Sequence, residues 1–80
     1  MEEKIAVVAI IINNYENVEK VNELLAEFRD NIIGRMGLPI KDKGVSVISV
    51  VMDAKMEVIN GLSGKLGMLS GVKSKVLTAK

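Results

Sequence analysis

The segment Gly61-Leu62-Ser63-Gly64-Lys65-Leu66-Gly67 is the densest group of residues able to do chemistry, with a glycine every third position and one lysine among them. A phosphate loop would need glycine at position 59 and serine or threonine at position 66. Ile59 and Leu66 stand there instead, and the dinucleotide fingerprint fails as well. The segment can still let a ligand or a neighbouring helix approach its backbone, with Lys65 holding an anion. The structural alternative is that Gly64 relieves packing and Gly67 ends a helix. In Gly34-Arg35-Met36-Gly37 an arginine stands between glycines, where its planar guanidinium suits a carboxylate from a ligand or partner. Otherwise Arg35 is an exposed charge that discourages edge aggregation. Asn13 and Asn14 fall where a strand meets a helix, a place that presents free backbone donors to a ligand, although capping explains them equally well.

Glu19, Glu23 and Glu27 recur every fourth residue. They form an acidic row that a basic surface or hard cation could use, and that reads more simply as a solvated helix face relieved by Lys20. The chain contains no Cys and no His. A Cys nucleophile, a Ser–His pair, a disulfide and a Cys/His metal site are therefore all excluded. No enzyme activity, resident metal or cofactor is expected.

Two strand-helix-strand units must position these residues. Lys4 to Ile12 is rich in Val and Ile on both alternations and reads as a central strand. Asn13 and Asn14 then cap a helix that places Val18, Val21, Leu24, Leu25 and Phe28 on one stripe. Ile32 to Ile40 carries Gly34, Gly37 and Pro39, which weaken a ladder and assign this strand to a sheet edge. Lys41 to Gly44 is a polar hairpin turn, and Val45 to Met52 a second central strand. Asp53 is expected to cap the second helix, in which Val58, Ile59, Leu62 and Leu66 recur before Gly67. Val72 to Thr78 alternates Val72, Ser74, Val76 and Thr78 against Lys73, Lys75 and Leu77, as an edge strand guarded by lysines does. The order predicts one α+β domain over residues 1–80. It is a ferredoxin-like βαββαβ sandwich, a four-stranded antiparallel sheet with two helices on one face and the strand order fourth, first, third, second.

Composition narrows the partners. An 80-residue chain buries a small fraction of its surface and is marginal alone. Its core must be aliphatic, because Tyr15 and Phe28 are the only aromatics. The central strands lack the aromatics that stack RNA bases, and a net charge of +1 attracts nucleic acid weakly, so direct nucleic-acid binding is not expected. No apolar run approaches the roughly 20 residues that cross a bilayer, and no secretory-type segment opens the chain, so a cytoplasmic location away from membranes is expected. Two helices cover only one sheet face, yet both alternations are apolar in the first strand (Ile5, Val7, Ala9 and Ile11; Ala6, Val8, Ile10 and Ile12) and in the third (Val45, Val47 and Val51; Ile48, Val50 and Met52). One set is left uncovered, an apolar patch larger than a monomer usually shows. Sheltering four such side chains is worth roughly 6 to 12 kcal/mol before association costs. A homo-oligomer is expected.

The run Ile33-Gly34-Arg35-Met36-Gly37-Leu38-Pro39, then Gly44-Val45-Ser46-Val47-Ile48-Ser49-Val50-Val51, then Leu62-Ser63-Gly64-Lys65-Leu66-Gly67 and Gly71-Val72, resembles the small ACT-like proteins described as proposed regulators of the iron-only hydrogenase system. The resemblance spans essentially the whole chain. It implies the ACT-like βαββαβ fold, a regulatory rather than catalytic role, oligomers packed side by side or face to face, and a small effector such as an amino acid at a subunit junction near the first strand-to-helix loop. At that loop the chain has Asn13 and Asn14, without the usual glycine-containing effector loop. The resemblance to ACT-like nickel-responsive regulators stops short of their function, since their His and Cys ligands are missing. On this basis Asn13, Asn14, Gly34, Arg35, Gly37, Gly64 and Lys65 are the candidate ligand contacts. The competing expectation is a structural or adaptor protein that uses the same surfaces for protein contacts alone.

Overall fold

In the computed structural model, which describes residues 2–79, the elements run β1 (Lys4–Ile12), α1 (Val18–Glu27), β2 (Ile32–Ile40), β3 (Val45–Ala54), α2 (Met56–Gly67) and β4 (Val72–Thr78). The sheet order is β2-β3-β1-β4 with every neighbouring pair antiparallel. Both helices pack on one face. This is the α+β ferredoxin-like sandwich expected from the sequence.

Period-two alternation decides what each strand buries. On the helix side, Ala6, Val8, Ile10 and Ile12 of β1 stand beside Ile48, Val50, Met52 and Ala54 of β3. Val21 and Leu25 of α1 and Ile59, Leu62 and Leu66 of α2 close over them, and all of these are buried. Val18, Leu24 and Phe28 complete the α1 stripe as half-buried flanks. On the other side nothing covers the sheet, and Ile5, Val7 and Ile11 keep 42%, 37% and 43% of their surface exposed.

Local chemistry and tertiary pairing compete at the element ends. Asn14 does cap, its Oδ1 accepting from the Glu16 amide at 2.9 Å, but the turn it starts is a 3₁₀ turn over Tyr15–Asn17 that feeds α1. Asp53 caps nothing. β3 continues through Asp53 and Ala54 because β1 offers partners down to Ile5 and Lys4, and α2 begins at Met56 after Lys55 without a side-chain cap. Gly67 is helical rather than the left-handed stop expected of it. The left-handed glycines are Gly44 (φ 64°), which closes the Lys41–Lys43 turn, and Gly71 (φ 75°).

Gly71 sits where the β1–α1 loop meets the start of β4. The Asn13 amide donates to its carbonyl at 2.7 Å, and the buried Asn17 side-chain amide donates to the neighbouring Ser70 carbonyl. A Cβ at Gly71 would stand 2.9 Å from the Asn14 Cβ, whereas one at Gly44 meets nothing. Left-handed backbone costs an L-residue about 1–2 kcal/mol, so Gly44→Ala should lose about that much and Gly71→Ala distinctly more. Denaturant midpoints of the two variants check the ranking, and equal losses would contradict the close packing at Gly71.

Candidate functional site

The positions singled out for chemistry do not converge. Asn13 and Asn14 lie at the end of β1 against Gly71. Arg35 and Gly37 pair with the buried Val50 and Ile48, which turns them to the helix side of edge strand β2. Gly34 pairs with Val51 and belongs to the uncovered side, together with Met36 and Leu38. Gly64 and Lys65 are on the exposed surface of α2.

Lys65 ties the two helices together. Its Nζ lies 3.4 Å from Glu27 Oε1 and 5.6 Å from the centre of the Phe28 ring, so the last turn of α2 is held to the end of α1. Both charged groups are more than half exposed, and the pair contributes little to stability. Gly61, Gly64 and Gly67 relieve no packing within the protomer, because a Cβ at each meets no atom within 4 Å. In an exposed helix interior glycine costs about 0.5–1 kcal/mol relative to alanine, so Gly64→Ala should raise the unfolding free energy by about that amount, read from denaturant unfolding. A loss of stability in that variant would show that the bare helix surface is packed against something in solution.

The groove between α1 and β2 brings several polar groups together. α1 turns Val18, Asn22, Leu25 and Ala26 towards β2, and the 3₁₀ turn Arg29–Asn31 carries Arg29 on the same line. A depression of about 330 Å³ is lined by Leu25, Ala26, Arg29, Ile32 and Arg35. A second, of about 260 Å³, lies on the other side of Arg35 and takes in Asn22 and Gly37. Arg35 Nη2 donates to Asn22 Oδ1 at 2.6 Å, and Arg29 Nε donates to the Ala26 carbonyl at 3.2 Å. Among the described residues neither arginine has a carboxylate within ion-pair distance. Sequence reasoning picked Arg35 and Gly37 but missed Arg29 and Asn22. The available signal was the 18, 22, 25 spacing, which puts these three on one face of α1 and which position 29 continues into the following turn.

The uncovered side of the sheet is the second candidate surface. Reading across β2, β3, β1 and β4, it presents Leu38, Val47, Ile11, Lys73, then Met36, Ser49, Ala9, Lys75, then Gly34, Val51, Val7, Leu77. Leu38, Met36 and Leu77 are 59%, 68% and 73% exposed. The two lysines stand only on the β4 side. Among the described residues no group of three or more His, Cys, Asp or Glu side chains could hold a metal, and no helix is long and apolar enough to cross a membrane.

Fold and surfaces together define a small ferredoxin-like α+β domain whose exposed sheet face and α1–β2 groove are its distinctive features. A family model named TM1266-like, with the description "Iron-only hydrogenase system regulator, putative", matches residues 4–76, and the chain belongs to that family. It is also similar to a solved structure titled as uncharacterized protein TM1266 from Thermotoga maritima, with a TM-score of 0.94 and 32% sequence identity over 99% of this chain and 100% of that one. No curated protein matches.

Proposed function

We propose that this chain is a non-enzymatic regulatory module of the iron-only hydrogenase system and works as a homo-oligomer in which a second copy covers the open sheet face. Membership of the TM1266-like family supports the regulatory role. The observation that carries the assembly is the uncovered aliphatic face, with Ile5, Val7, Ile11, Met36, Leu38 and Leu77 all exposed. Four strands about 4.8 Å apart and nearly 30 Å long present about 500 Å² per protomer, so a face-to-face pair buries about 1,000 Å², the lower bound for a specific interface.

The pattern on that face favours one arrangement. A two-fold axis across the strands would stack β4 on β4 and bring Lys73 and Lys75 against their copies. An axis along the strands stacks β4 on the partner's β2, so that the lysines lie over Leu38 and Met36, with aliphatic stems on apolar surface and ammonium groups at the rim. The same operation sets the protruding Leu77 over the bare backbone of Gly34, matching bulk to space. The junction so formed is where an effector could shift the balance between assembly states, provided it binds them with different affinity.

Removing the gene from a host that carries an iron-only hydrogenase tests the regulatory role. Hydrogenase level or activity should change and be restored by the native chain but not by an assembly-deficient variant. Unchanged hydrogenase would contradict the proposal.

A further inference from the structure

We propose that the α1–β2 groove binds a small organic oxyanion, a carboxylate or a phosphate ester, with its head between Arg29 and Arg35 and its body on Leu25 and Ile32. The inference names a ligand for the regulatory module proposed above and rests on that reading for its biological use.

Arg29 arrives from the turn after α1 and Arg35 from the middle of β2, the strand which that turn leads into, and both residues line the same depression. Both arginines are exposed and line one depression, where their like charges repel weakly through water and an anion between them would be attracted by both. Among the described residues neither has a carboxylate within ion-pair distance. The nearby Glu27 carboxylate is instead turned to Lys65 of α2. Each guanidinium carries five donors. Arg35 uses one on Asn22 and Arg29 one on the Ala26 carbonyl, and the rest find no protein acceptor among the described residues.

The bonds that do exist hold the arginines rather than neutralise them. The Asn22 amide oxygen fixes the Arg35 fork, and the Ala26 carbonyl fixes Arg29 while leaving both of its terminal nitrogens free. The carbonyl end of α1 contributes about half a negative charge nearby, which two full positive charges outweigh. Planar forks of this kind match the paired oxygens of a carboxylate or phosphate. The volume of about 330 Å³ suits a small ligand, and the buried Leu25 with the half-buried Ile32 gives it an apolar floor. On the far side of Arg35 the missing side chain of Gly37 keeps the groove open, since a Cβ there would have only Ile48 Cγ1 within 4.0 Å.

The test is an NMR titration of the full ¹⁵N-labelled chain with inorganic phosphate and, separately, with succinate, at constant ionic strength. Saturable amide shifts concentrated between Asn22 and Gly37 are expected, and the two probes distinguish a phosphate from a carboxylate site. Arg29→Gln and Arg35→Gln should each weaken binding about tenfold, the loss of one charge-assisted contact, and the double variant should abolish it. The control Lys73→Gln/Lys75→Gln should bind as the native chain does. Shifts that instead follow the exposed lysines, survive in the double arginine variant, or fail to saturate with either probe would overturn the site. Sedimentation of the same samples keeps the two proposals apart. An oligomer whose groove ignores both anions overturns the ligand site alone, and a monomer that binds them overturns the assembly alone.

Discussion

Ile11→Lys should convert the assembled protein into folded single chains. Ile11 lies on the open face, flanked by Val47 on β3 and Lys73 on β4, with no carboxylate at any of its cross-strand or diagonal neighbours. In the isolated protomer a lysine there points into water, so the helix-side core is untouched. In the proposed face-to-face pair it would meet the partner's β3 and be an unpaired charge beside another lysine. Burying such a charge costs several kcal/mol, and the dissociation constant should rise by about a hundredfold or more. Sedimentation velocity against concentration, with circular dichroism to confirm the fold, checks this. An unchanged mass at every concentration would place the interface elsewhere.

Leu62→Ala should strongly destabilise the core. Leu62 is fully buried in α2, enclosed with Ile59 and Leu66 against the helix-side residues of β1 and β3. Truncating a buried leucine costs about 2–5 kcal/mol through lost transfer energy and the cavity left behind. In a domain of this size that corresponds to a fall in Tm of about 10 °C or more. Leu77→Ala removes the same atoms from a side chain 73% exposed and should leave the stability of the single chain nearly unchanged while weakening assembly. Thermal unfolding of the two variants, each made in the Ile11→Lys background, separates core from interface. Similar losses in both would mean that the open face is already part of the protomer's core.

The architecture was legible where one residue type admits few positions. Gly34, Gly37 and Pro39 fit only an edge strand, and β2 is at the edge. Aliphatics on both alternations of β1 and β3 required central strands, and these two are central. The errors fall where a local preference met a long-range partner. Asp53 has the chemistry of a cap, but it stands opposite Ile5 in the β1–β3 register, and continued strand pairing decided its conformation. Gly67 has the chemistry of a helix stop, but the left-handed turn the chain needs comes four residues later, at Gly71, where the connector meets the Asn13–Asn14 loop.

The candidate site was legible only by halves. Arg35 and Gly37 could be marked from their own segment, and the structure places them on the groove wall. Arg29 could not be joined to them, because it belongs to the other wall and only the return of β2 beneath α1 brings the two arginines to one depression. Gly34, adjacent to Arg35 in sequence, faces the opposite side of the sheet, since neighbours on a strand point apart.

Sedimentation equilibrium of the native chain over a wide dilution series tests the central claim most directly. The expected result is a mass of at least two chains that falls to one only on strong dilution. A folded single chain at every concentration would contradict the account, for the aliphatic face of β1 and β3 would then stand in water without a partner.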